Sequence, residues 1–171
     1  MFNDDMRNGI KGGSDDDTKG YIQGSNFDTY KVLAGMLGAS SDTFGRWAKR
    51  PSQCITYASA HDNLTLWDKL LKSNWAKDFN TTDPRIIEQN KLSAAFVMMS
   101  LGIPFMLAGE EFARTKFGEH NSYKSPDNIN SIDWSRTIEY KELVDYYKGL
   151  IEIRKKFPIL TDSSEEAVHK T

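Results

Sequence analysis

The chain has 171 residues, of which 39% are hydrophobic and 27% charged, a composition typical of one globular unit with a sizeable core. Its formal charge of -2, with both signs interspersed, argues against nucleic acid as a partner. No apolar run is long enough to suggest a membrane span, and the single cysteine, Cys54, excludes an internal disulfide.

The first part of the chain combines a polar loop with a short helix. The stretch KGGSDDDTKG, residues 11–20, contains three glycines and three aspartates and predicts a solvated, exposed turn. A helix is then predicted from Asp28, its cap, to Leu37, with Gly38 as its stop.

A unit of strand, polar loop and helix follows. CITYAS, residues 54–59, predicts a buried strand because β-branched and aromatic residues dominate it. The apolar residues of 66–71 recur at helical spacing directly behind it. Three adjacent polar residues, His61, Asp62 and Asn63, lie between the two elements.

A second unit of the same kind completes the chain. Asp83 followed by Pro84 marks the start of a helix that is expected to run to about Leu101. IPFMLA, residues 103–108, predicts a second buried strand. A long loop to Trp134 and a last helix over about 138–157 follow, the helix ending before a proline.

Two successive units of this kind predict a parallel sheet covered by helices, an α/β fold. Ligands of such sheets gather beyond the carboxyl ends of the strands. The candidates there are the His61 to Asn63 triplet after the first strand, and Glu110 and Glu111 after the second.

Each candidate also has a structural interpretation. Asp62 could cap the helix behind it, and His61 could be a packed loop residue. Glu110 and Glu111 are adjacent and cannot face each other across a bond, so capping is the favoured role. His120 is by default an ordinary loop residue. A metal site of His61, Asp62 and a glutamate has none of the usual ligand spacings, so no metal or cofactor is expected.

The segment YASAHDNLTLWDKL, residues 57–70, resembles the fourth shared sequence region of the alpha-amylase superfamily, glycoside hydrolase family 13, and specifically of its type I pullulanases. The likeness continues in register. Residues 90–134 resemble helix seven, strand eight and the loop after it, residues 147–160 resemble helix eight, and FNDDMRNGIKG, residues 2–12, resembles the strand-six segment.

This resemblance implies a fragment of a (β/α)₈ TIM barrel, about strands six to eight with their helices. Residues 1–160 would form the C-terminal third of the catalytic barrel. Residues 161–171 would form a tail leading toward a C-terminal β-sandwich domain. A whole barrel needs roughly 250 residues, more than the chain supplies.

The resemblance also implies roles for individual residues in retaining hydrolysis of α-1,6 linkages in pullulan, glycogen or limit dextrin. Asp62 matches the carboxylate that stabilises the transition state, and His61 matches the histidine that hydrogen-bonds the sugar in the cleaved subsite. Asn121 and Tyr123 match positions of the strand-eight loop that line the non-reducing side of the cleft, and Asn63, which carries both a donor and an acceptor, suits a neighbouring glucose unit. A nearby carboxylate suits this reaction because positive charge develops on the sugar ring.

The family's nucleophile and general acid belong to strands four and five, and no counterpart of either is recognised in this chain. The isolated chain is therefore expected to be inactive, and a non-catalytic module that binds glucan or assembles with another barrel piece is the alternative. Unpaired strand edges also predict self-association or partial disorder. Localisation is left open, because any signal would lie upstream.

Overall fold

The computed structural model describes residues 1–162, 164 and 168, and most of its regular structure is helical. The helices are α1 (Asp4–Lys11), α2 (Thr29–Met36), α3 (Leu66–Ser73), α4 (Pro84–Met98), α5 (Asp127–Asn130), α6 (Arg136–Glu139) and α7 (Lys141–Lys156). The strands β1 (Ile55–Thr56) and β2 (Ile103–Pro104) pair in parallel, with Ile55 opposite Ile103. Among the described residues no helix combines the length and apolarity that a bilayer crossing requires.

The strands are shorter than the sequence predicts. Hydrophobic runs over 54–59 and 103–108 indicate longer elements, but ladder pairing is limited to two residues in each strand. The segment resembling strand six keeps one parallel bridge, from Phe2 to Ile55, and then turns into α1. It does so because the side chain of Asn3 accepts a hydrogen bond from the Met6 amide at 3.0 Å and caps a helix.

Helix ends follow the predicted signals more closely. The Asp83 side chain accepts from the Arg85 amide at 2.9 Å, and Pro84 opens α4, which ends at Met98 rather than near Leu101. Helix α2 lies within the predicted 28–37, although its Asp28 side chain makes no capping bond. The last helix is two pieces, α6 and α7, which meet at Tyr140.

A single main core lies between the helices and the strand pair. Helix α1 packs closely on α2, where a Cβ on Gly35 would come within 2.4 Å of the Met6 side chain. Helix α4 packs on α7, and Arg154 of α7 donates to the carbonyl oxygens of Met98, Ser100 and Gly102, which closes the turn between α4 and β2.

The expected boundary at residue 160 is not tested by the fold. A 3₁₀ turn at Pro158–Thr161 follows α7. Of the expected tail over 161–171, residues 163, 165–167 and 169–171 lie outside the described residues.

Candidate functional site

The triplet after β1 is presented to solvent. The side chains of His61 and Asp62 are 83% and 79% exposed, and His61 Nε2 lies 3.4 Å from Asp62 Oδ1. Thr56 of β1 and residues 57–59 are buried, Ala60 is partly buried, and the chain becomes exposed at His61. The side chains of His61 and Asp62 are therefore available to a ligand, as the strand-end argument predicts.

The alternative in which Asp62 caps the following helix is wrong. Helix α3 begins at Leu66, and its cap is Thr65, whose Oγ1 accepts from the Asp68 amide at 3.1 Å. Asp62 lies four residues before the first residue of the helix, so its exposed carboxylate has no helix-capping role.

Asn63 is held by a residue that the sequence interpretation placed in an exposed turn. Its Nδ2 donates to Asp15 Oδ2 at 2.6 Å, and the Leu64 amide donates to Asp15 Oδ1 at 3.1 Å. Asn63 also has a φ of 66°, a conformation that asparagine tolerates better than most residues. The side chain that was expected to contact glucose therefore also has a structural partner.

The aspartate-rich loop over residues 11–20 is anchored rather than freely solvated. Lys69 of α3 has no exposed surface, and its Nζ donates to the carbonyl oxygens of Asp16 at 2.9 Å and Thr18 at 2.6 Å. Lys72 Nζ donates to the carbonyl oxygen of Asp15 at 2.6 Å. The loop composition predicts exposure, but these two lysines give the loop a fixed position beside the triplet.

The loop after β2 brings the remaining candidates to the same face. His61, Asp62, Asn121 and Tyr123 line one cavity of about 330 Å³, here called the Tyr123 cavity, whose other lining residues are Lys116, His120, Ser122 and Asn130. The Tyr123 ring is 74% exposed, and Lys124 Nζ lies 5.1 Å from its centroid. An exposed aromatic ring near a carboxylate and an imidazole provides apolar and hydrogen-bonding contacts for a sugar.

A second cavity of about 300 Å³ adjoins the triplet on the side of α1 and is called the Tyr57 cavity. His61, Asp62 and Asn63 line it together with Arg7 and Tyr57, among others. The Tyr57 hydroxyl donates to Asp4 Oδ1 at 2.6 Å and accepts from Arg7 Nη1 at 2.7 Å. Burial and the bond to Asp4 raise the pKa of Tyr57 to about 12, so the phenol is a neutral hydrogen-bonding group at physiological pH.

Glu110 and Glu111 have different environments although they are neighbours. Glu111 Oε2 accepts from the Gly109 amide at 3.0 Å, which agrees with the expected capping role. Glu110 is instead buried, and its carboxylate accepts a short hydrogen bond from the Ser59 hydroxyl and lies 3.4 Å from the Tyr147 hydroxyl. Burial raises the pKa of Glu110 to about 7. The predicted capping role is therefore wrong for Glu110. Its buried carboxylate instead holds Ser59, shortly after the end of β1.

The sequence does not indicate that several further residues lie near the site. Asp15, Lys69 and Lys116 appear there as ordinary surface charges, and only the tertiary structure brings them beside the triplet. Among the described residues no group of three or more histidine, cysteine, aspartate or glutamate side chains could hold a metal ion.

Known proteins with similar sequences and structures are debranching enzymes. The chain is 37% identical to the pullulanase of Bacillus subtilis over 160 residues, which cover 92% of this chain and 22% of that protein. It is 31% identical to the isoamylase of a Flavobacterium species, over 75% of this chain and 19% of that protein. The chain therefore spans about a fifth of the length of these curated relatives. No family model matches it.

Solved structures give the same result. The pullulanase of Paenibacillus barengoltzii, determined in complex with maltohexaose and alpha-cyclodextrin, superposes with a TM-score of 0.91 and 36% identity. The match covers 99% of this chain and 26% of that one. Short parallel strands with covering helices fit a fragment of an α/β barrel.

The chain belongs to glycoside hydrolase family 13. Its homologues in that family are debranching enzymes, namely pullulanases, isoamylase and glycogen debranching enzyme.

Proposed function

We propose that this chain is a segment of a pullulanase-like enzyme that hydrolyses α-1,6-glucosidic linkages by a retaining mechanism. It would supply barrel strands six to eight. The order of parallel pairing, Phe2 beside β1 and β1 beside β2, supports this register because three successive barrel strands pair in chain order. The observation that carries the proposal is the exposed His61 and Asp62 pair at the end of β1, lining the Tyr123 cavity.

Asp62 is proposed as the group that stabilises the transition state. In retaining hydrolysis the sugar ring develops positive charge, and a carboxylate aimed at that ring lowers the barrier. Asp62 fits this role because it is exposed and caps no helix, so it is free of a competing structural requirement. His61 would hydrogen-bond the same sugar.

Asn121 and Tyr123 are proposed to contact the adjoining glucose units, with Asn63 as a further contact. Asn121 and Tyr123 line the Tyr123 cavity with Asp62, so one α-glucan chain could contact all three. The pullulanase of Paenibacillus barengoltzii was crystallised with maltohexaose, and its similarity supports an α-glucan as the ligand here. The Asn63 contribution is restricted by its bond to Asp15.

The alternative of a non-catalytic glucan-binding or assembly module differs in one respect that can be measured. Glucan binding at the Tyr123 cavity is expected of the enzyme segment and of a glucan-binding module but not of an assembly module, and only the enzyme segment requires that Asp62 contribute to turnover. Retaining hydrolysis needs a nucleophile and an acid roughly 5 Å apart, and Glu110 and Glu111 cannot form such a pair because one is buried and the other caps a turn.

The test of binding is a titration of the isotopically labelled chain with maltohexaose, followed by NMR. Resonances of His61, Asp62 and Tyr123 are expected to shift, and those at the C-terminal end of α7, beside the turn that precedes β2, are not. Shifts confined to other surfaces, or no shifts, would contradict the proposed site.

The test of catalysis uses a chimera, the Bacillus subtilis pullulanase whose matched segment is replaced by this chain. A folded chimera is expected to release new reducing ends from pullulan. A folded chimera without activity would favour the non-catalytic module.

A further inference from the structure

Lys116 lies between the two loops that carry the candidate sugar-binding residues. Its side chain lines the Tyr123 cavity, although the residue is only 5% exposed. Its Nζ donates to the Ser122 hydroxyl at 2.6 Å and to the carbonyl oxygen of His61 at 3.2 Å. One ammonium group therefore joins the loop after β1 to the turn that contains Tyr123.

The backbone of Lys116 is fixed by the helix behind the triplet. Asp68 of α3 is buried, and its Oδ2 accepts from the Lys116 amide at 2.8 Å. The other carboxylate oxygen accepts a short hydrogen bond from the Thr115 hydroxyl. The triplet leads into α3, and α3 also holds the backbone of Lys116. Lys116 and the His61 loop are therefore both anchored to the same helix.

The turn that carries Ser122 is also held by hydrogen bonds. Asn130 Nδ2 donates to the carbonyl oxygens of Ser122 at 2.7 Å and Ser125 at 2.9 Å, which fixes the turn over 122–125. The Ser122 hydroxyl is therefore a stationary acceptor, and the ammonium sets the distance between two fixed segments.

The surroundings of Lys116 lower its pKa overall. Burial lowers its pKa and Arg114 lowers it further, whereas Asp62 and Asp68 raise it. A buried ammonium is tolerated when its donors are hydrogen-bonded, and Lys116 Nζ donates to Ser122 and to His61.

We propose that Lys116 is a positioning residue for glucan binding, which ties the His61 strand end to the Ser122 turn and sets the spacing between Asp62 and Tyr123 across the cavity. The inference rests on the proposed function. Without the ammonium, each segment would keep its own anchor, but the spacing between the two would have to be set by the sugar itself, and the cost of that ordering would be subtracted from the binding energy.

The experiment compares the wild-type chain with Lys116→Met, which keeps the length of the side chain and removes its charge and donors. Lys116→Arg restores both. Lys155→Met makes the same chemical change at an exposed position near the end of α7 and serves as the control. Amide resonances are recorded without sugar, and the dissociation constant for maltohexaose is then measured by titration.

In Lys116→Met, the amides of both 61–63 and 121–123 are expected to shift without sugar, and maltohexaose affinity is expected to fall about tenfold because the spacing of the two segments must be set on binding. Lys116→Arg should recover most of the affinity, and the control should match wild type. If Lys116→Met does not fold, Ser122→Ala removes only the acceptor and should weaken binding in the same direction.

Wild-type affinity in a folded Lys116→Met chain, or in Ser122→Ala where the first variant does not fold, would overturn the proposal. So would sugar-free shifts confined to the immediate neighbours of residue 116. If the wild-type chain itself does not bind maltohexaose, the proposed function fails, while the sugar-free spectra still decide whether Lys116 couples the two loops.

Discussion

Replacing Glu110 by glutamine tests whether the buried carboxyl beneath the strand ends governs the pH dependence of folding. In the unfolded chain this group ionises near 4.5, whereas burial holds its pKa at about 7 in the folded chain. Below about pH 4.5 it is protonated in both states. Between about pH 4.5 and 7 the unfolded chain is ionised while the folded chain keeps its buried proton, so stability is lost until the folded chain is ionised as well.

The size of the effect follows from the shift. A rise in pKa from 4.5 to about 7 corresponds to about 3 kcal/mol of unfolding free energy, lost between about pH 4.5 and 8. Glutamine keeps an acceptor for the Ser59 hydroxyl but does not titrate. Glu110→Gln should therefore lack this loss, so its stability relative to wild type should improve as the pH rises.

Urea unfolding at pH 5 and pH 8 measures the effect, with exposed Glu152→Gln as the matched control. The buried amine of Lys11 titrates in both chains and largely cancels in the comparison. Equal losses of stability for wild type and Glu110→Gln between the two pH values would refute the reasoning.

Three further outcomes are expected. Burial lowers the pKa of Lys11 to about 7, so a charged Lys11 destabilises the fold most below pH 7. Lys11→Met should therefore be most stabilising below pH 7, and the gain in stability should vanish as the pH rises through 10.5. A gain that does not depend on pH would be inconsistent with this account. The unpaired strand edges and the half-exposed Phe2 ring should drive self-association, so a well-dispersed monomer by light scattering at micromolar concentration would count against it. The chain alone should produce no new reducing ends from pullulan, and activity that disappears in Asp62→Ala would show that it carries more of the catalytic apparatus than proposed.

The sequence predicts the elements that depend on local signals. The Asp83 and Pro84 signal identifies the start of α4, and the strand-end rule correctly predicts that His61 and Asp62 are presented at one face. Strand lengths are overestimated because hydrophobic runs report burial, and buried residues of 57–59 continue beyond the paired ladder. Local patterns therefore give the order of the elements better than their extent.

The supporting residues cannot be predicted from the sequence for a physical reason. Asp15 and Lys116 act on the triplet through hydrogen bonds that span 48 and 55 residues of sequence. The sequence of 11–20 predicts an exposed loop because its anchor, Lys69, lies on another element. The supporting role of such charged residues can be recognised only in the folded structure, which brings each of them to its hydrogen-bond partner.

The central claim, that Asp62 acts on the transition state, is tested most directly by turnover of pullulan in the chimera. Asp62→Asn should lower kcat by at least about a hundredfold, the scale typical of losing one preorganised electrostatic group, while folding is little changed. Asp17→Asn, at an exposed position of the neighbouring loop, should leave kcat near that of the unmodified chimera. A folded Asp62→Asn chimera with near-normal turnover would contradict the account.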